Sequence, residues 1–138
     1  MWREVVNSTH HGKNCVLGDP ADIDEVRQLE RTMGLDLPQT LRDLLLECDG
    51  ITWRFKPGHA LDLVWSTRRI IRGNHVMGYC APDGSGMGRA GVFAVGDIGP
   101  TAYLVEAGRV VEPEVSIAYS SRQYPDLRAF LQETLSDT

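Results

Sequence analysis

Residues 23–50, IDEVRQLERTMGLDLPQTLRDLLLECDG, constrain this chain more than any other stretch. They predict two amphipathic helices joined by a tight corner. Asp22 stands where a helix N-cap is wanted, and Glu25 follows three residues later, the spacing of a capping box. Ile23, Val26, Leu29 and Met33 then mark one apolar face. Gly34 can take the left-handed conformation that ends a helix. Leu37 before Pro38 is pushed toward extended backbone, and Pro38 suits the first position of a second helix. Leu41, Leu44, Leu45 and Cys48 recur at i, i+3, i+4, i+7, and Asp49-Gly50 closes the unit.

The flanking sequence completes the pattern. Trp2, Val5 and Val6 predict a short N-terminal helix, and residues 12–21, rich in Gly, Asn, Asp and Pro, read as a loop. Thr52–Phe55 is β-prone and stops at Pro57-Gly58. Ala60–Trp65 is short and apolar. Ser66 can cap a brief helix carrying Ile70 and Ile71 that ends near Gly73-Asn74. Val76–Tyr79 reads as a strand, and 91–96 as a central strand bounded by glycines. Residues 101–106, 110–111 and 115–119 are further strands at hairpin spacing, so an antiparallel sheet follows. Pro125 fits the first turn of a last helix, with Leu127, Phe130, Leu131 and Leu135 as its stripe.

The order helix, helix, sheet, helix carries a resemblance. Leu29-Glu30, Gly34-Leu35-Asp36-Leu37-Pro38, Leu44-Leu45 and Asp49-Gly50 are similar to the opening of the SUKH superfamily (Smi/Knr-type domains). Leu63-Val64-Trp65-Ser66, Val92–Asp97 with Tyr103-Leu104 and Gly108-Arg109-Val110, and Leu127–Leu131 continue it. The likeness spans residues 22–135. Gly99-Pro100-Thr101-Ala102 departs from the Gly-Asp pair that members often place there. The resemblance implies an α+β fold for 1–138 as a single domain, with N-terminal helices packed on a curved antiparallel sheet and a C-terminal helix. It also implies a bacterial immunity protein that binds and neutralises a toxin domain, often a nuclease, without catalysis. The alternative it implies is a regulatory or scaffold domain of Smi/Knr type.

Charge bears on the partner. The chain of 138 residues has net charge −5. Residues 19–49 hold nine acids against three arginines, whereas residues 54–89 hold six basic residues against two acids. An acidic surface repels nucleic acid and attracts cationic protein. Charge thus points to a protein partner and no direct nucleic acid, and the resemblance implies that the partner is a toxin domain; no apolar run suits a membrane, and a monomer or weak dimer is expected. Asp36, Asp49, Trp53, Asp97, Tyr103 and Glu112, acidic or aromatic groups near element ends, are the candidate partner-binding residues. Aromatics on strands otherwise belong to the core, and most acids to solvated helix faces.

Chemistry is sparse. Cys15, Cys48 and Cys80 are odd in number and have no CxxC or nearby His, which suggests reduced thiols in a cytoplasmic setting. Gly86–Gly91 matches GxGxxG by letter, but a β-like run follows where a dinucleotide site needs a helix. His10, His11, His59 and His75 lack metal-ligand spacing. Cys80 with His59 or His75 is the one conceivable catalytic pair, and nothing around it lowers a thiol pKa. Arg68, Arg69 and Arg72 are a basic cluster expected to pair with the acidic helices. No catalytic residue, cofactor or metal site is expected.

Overall fold

The computed structural model describes residues 1–76, 92–98, 101–106, 109–117 and 122–136. The Gly86–Gly91 motif, residues 77–79, Cys80, Gly99-Pro100 and residues 118–119 lie outside them. The chain is α+β, with five α-helices and two antiparallel sheets among the described residues.

Helix α1 (Trp2–Asn7) is followed by a 3-10 turn (Gly12–Asn14) and strand β1 (Cys15–Leu17). That strand corrects the loop expected there. Its backbone pairs with β2 despite the turn-rich composition, Cys15 opposite Trp53 and Leu17 opposite Ile51. Helix α2 (Ile23–Met33) opens with the capping box: Glu25 N–H donates to Asp22 and Asp22 N–H to Glu25. It ends at Gly34 with φ 68°. Val26, Leu29 and Met33 are buried, but Ile23 is exposed. At 100° per residue Ile23 lies roughly 90° from the centre of that stripe, which explains the difference.

Helix α3 (Gln39–Glu47) starts one residue after Pro38, whose carbonyl accepts the first helical bond, from Arg42. It buries Leu41, Leu44 and Leu45. Gly50, with φ 104°, turns the chain into β2 (Ile51–Lys56) and β3 (His59–Val64), which with β1 form a sheet of order β1-β2-β3. A register shift between Trp53 and Lys56 bulges the far end of this hairpin.

Helix α4 (Thr67–Val76) runs past Gly73-Asn74, where a stop was expected, and takes in Val76, which was read as strand. Tertiary packing overrides the local signal. A Cβ on Gly73 would run into the Trp65 indole ring, so only glycine lets that ring lie against the helix. Asn74 is fully buried: its Nδ2 donates to Ile70 O and Ala94 O, both at 2.8 Å, and its Oδ1 accepts from Ala94 N–H at 2.9 Å.

The second sheet is a meander, β4 (Val92–Gly96), β5 (Thr101–Glu106), β6 (Arg109–Ile117) and β7 (Gln123–Tyr124). Residues 110–111 and 115–117, read as separate runs, belong to one strand. Strand β4 ends its own sheet and also meets the first one, through Trp65 N–H to Val95 O (2.7 Å) and Asp97 N–H to Asp62 O (2.8 Å). Helix α5 (Leu127–Ser136) is capped by Asp126, which accepts from Ala129 N–H, and buries Leu127, Phe130, Leu131 and Leu135. One core joins both sheets to all five helices, with Leu29, Leu44, Ile51, Phe93, Tyr103 and Phe130 among its largest buried side chains. No helix among the described residues is long and apolar enough to cross a membrane.

Candidate functional site

Two of the four acids expected to face a partner, Asp49 and Asp97, are bonded inside the molecule. Asp97 sits just after β4. Its Oδ1 accepts from Trp65 Nε1 at 2.9 Å and from Arg69 Nη2 at 2.8 Å, and its Oδ2 from Asp62 N–H at 2.8 Å. Arg69 also pairs with Asp62, and its guanidinium lies 5.2 Å from the centre of the Trp65 ring. Asp62 in turn accepts from Thr52 Oγ1 at 2.6 Å. Arg69 thus pairs with a carboxylate on β3 and another just after β4 rather than with the acidic helices. This knot ties α4 to both sheets.

Asp49 accepts from Thr67 N–H at 2.7 Å and from Thr67 Oγ1 at 3.2 Å, which secures the first turn of α4. Burial pushes its carboxyl up, against the pull of those bonds. Glu47, at the end of α3, reaches the start of α1. Its Oε2 accepts from Arg3 N–H at 2.7 Å, and its Oε1 from Trp2 N–H at 3.0 Å and the Met1 ammonium at 2.9 Å. Burial alone would raise this carboxyl, but those donors together hold it down at about 2. Glu30 bonds Arg42 Nη2 at 2.6 Å and Leu37 N–H at 2.9 Å.

The six candidate residues therefore do not form one surface. Asp36 is exposed in the α2–α3 corner. Asp49 and Asp97 are half-buried and internally bonded. Tyr103 is fully buried in β5, which corrects its expected place at the surface. The sheet packs both β4 and β6 against β5, and the ring belongs to the core. Glu112 lies in β6, and its side chain is outside the described residues. Trp53 alone combines partial exposure with a concave setting.

Trp53 borders a cleft of about 640 Å³ whose other walls come from the second sheet and the last helix: Ile117, Arg122, Tyr124, Phe130 and Glu133. The backbone holds these parts together. His11 N–H donates to Leu135 O at 2.9 Å, so the end of α5 is fastened beside the first sheet. The Trp53 ring lies 5.3 Å from His11 and 5.8 Å from Phe55, and Phe55 lies 6.0 Å from His59, centre to centre. Phe55 is exposed. The indole N–H of Trp53 is buried and has no acceptor among the described residues. Arg122 crosses the cleft to Glu133 at 3.5 Å and stands 5.9 Å from the Tyr124 ring centre.

The arrangement offers aromatic faces, one cation and one carboxylate, the ingredients of an interface anchor. Cys15 and Cys48 are both pushed up to about 11, by burial in each case, the opposite of an activated thiol. No cluster of His, Cys, Asp or Glu suited to a metal ion occurs among the described residues. Arg122, Tyr124 and Glu133 escaped the sequence reading. The available signal was the Arg-x-Tyr spacing just before α5, where Tyr124 lies in β7 and Arg122 immediately precedes it. No family model matches the chain, and no curated protein matches it.

Proposed function

We propose that this chain is an interaction domain without chemistry of its own, an immunity protein of SUKH type that binds and neutralises a toxin domain. The observation that carries the reading is the Trp53 cleft. A half-buried tryptophan flanked by His11 and Phe55, opposite Tyr124 and Arg122, matches the residue types that dominate interface energetics. The reading rests on the sequence resemblance; after α1 and β1 the chain runs as two helices, a hairpin, a helix, a meander and a last helix, an α+β order that supports it only at the level of fold class. The internal use of Asp49 and Asp97 shifts the anchor away from acidic groups and toward aromatic ones.

Co-expression with the toxin domain encoded beside the gene tests this. The expected result is a stoichiometric complex and protection from toxicity. Trp53→Ala should weaken the complex by at least about tenfold, an ordinary hot-spot loss. Absence of both complex and protection overturns the proposal. Protection undiminished in Trp53→Ala overturns the cleft as its anchor.

A further inference from the structure

A second surface lies on the same hairpin. The chain has 19 acids among 138 residues, yet residues 5–18 and 50–61 contain no Asp or Glu. These two stretches meet in space, because β1 pairs with β2 and β2 with β3. Their far end carries Lys13, Arg54, Lys56 and His59, all exposed. Arg54, Lys56 and His59 border a concavity of about 480 Å³ together with Asn14 and the Pro57-Gly58 turn. None of Lys13, Arg54 and Lys56 has an ion-pair partner among the described residues. The acids at the start of α2, Asp22, Asp24 and Glu25, border a different concavity, which they share with Arg68 of α4.

We infer that the hairpin tip is a docking site for an acidic polypeptide segment of a partner protein, separate from the Trp53 cleft. Charge complementarity argues for this occupant. A concavity bordered by no acid among the described residues, with two guanidinium- or ammonium-bearing side chains and an Asn amide at its rim, offers donors to carboxylates. The bulge between Trp53 and Lys56 re-aims the side chains there. A nucleic-acid strand fits less well. It calls for a long cationic track, whereas the cations here are few, although Phe55 and His59 offer rings beside them. The inference stands whichever protein enters that cleft.

The test uses fluorescence anisotropy with the full chain and three labelled probes: a Glu-rich peptide, a Gly-Ser peptide of equal length and an oligo-dT strand. The Glu-rich peptide should bind at least about tenfold more tightly than the Gly-Ser peptide and weaken severalfold as salt rises from about 50 to 200 mM. Arg54→Ser with Lys56→Ser should abolish the preference while leaving the melting temperature unchanged, and Trp53→Ala should retain it. Equal binding of the two peptides overturns the inference, as does an unaffected double variant. Tighter binding of oligo-dT makes the site one for nucleic acid and overturns it too. Loss of the preference in a folded Trp53→Ala chain places the peptide in the cleft and overturns the separate site. Failure here leaves the toxin pull-down untouched, so the two proposals fall separately.

Discussion

The two halves of the β2–β3 hairpin are built to opposite rules. At its base, Ile51, Leu63 and Val64 are buried, and the charged groups are locked: Asp62 and Asp97 hold Arg69, Trp65 and Thr52 in a closed set of bonds. At its tip, Phe55 and His59 are exposed, and Arg54 and Lys56 face solvent without partners among the described residues. The same two strands thus serve as scaffold at one end and as surface at the other. A carboxylate is informative about partners only where its bonds are open. In this chain that criterion moves attention from the acids to the aromatic and cationic end.

Substitutions along the hairpin should reproduce this gradient. Leu63→Ala at the base should cost about 2–5 kcal/mol in denaturant unfolding, the range for a fully buried leucine. A loss below about 1 kcal/mol would mean the base is no better packed than the tip. Asp97→Ala should come next, at about 1–3 kcal/mol, because it strips acceptors from Trp65 Nε1, Asp62 N–H and Arg69 at once. Phe55→Ala, or Arg54→Ala with Lys56→Ala, should change stability by no more than about 0.5 kcal/mol. A larger loss would show that the tip is structural and would erase the contrast.

Glu47 extends the comparison to a locked carboxylate elsewhere. Its folded-state pKa is lowered from 4.5 to about 2, so its contribution to stability is complete above about pH 4.5 and is lost as the pH falls through 2. Asp49 works in the opposite sense: burial raises its carboxyl, so what it contributes is lost as the pH rises through its folded-state value. Glu47→Gln should cost about 1 kcal/mol at neutral pH, as for a lost helix cap. It should also flatten the acid limb of the unfolding midpoint between about pH 4.5 and 2, the window its lowered pKa defines. An acid limb unchanged by Glu47→Gln would show that the bonds to Trp2 and Arg3 carry nothing.

What could be read from the sequence was local. The Asp22–Glu25 box, the left-handed Gly34 and the buried Leu41, Leu44 and Leu45 are each set within a turn or two of chain, and each is present. The missed features depend on distant partners. Strand β1 exists because Ile51–Trp53 comes back to pair with it. The run of α4 through Gly73-Asn74 depends on Trp65 and on Ala94, 20 residues further on. Asp97 stands 32 residues from Trp65, and nothing near it in the sequence says that its oxygens are taken. The cleft draws on β2, β6, β7 and α5, so no window of sequence contains it. Pattern therefore located the core better than the surface, because a core face repeats with the period of its element and a cleft does not.

Asn74 has one further consequence. Strand β4 is the outermost strand of its sheet, and such a strand ordinarily offers a row of free N–H and C=O groups to any passing chain. Here a single carboxamide occupies both backbone groups of Ala94, in the way a neighbouring strand would, while Trp65 takes Val95 O and Asp62 takes Asp97 N–H. The sheet is thereby covered by a helix side chain and by the end of β3, and the growth of the meander into an intermolecular ribbon is blocked at those groups.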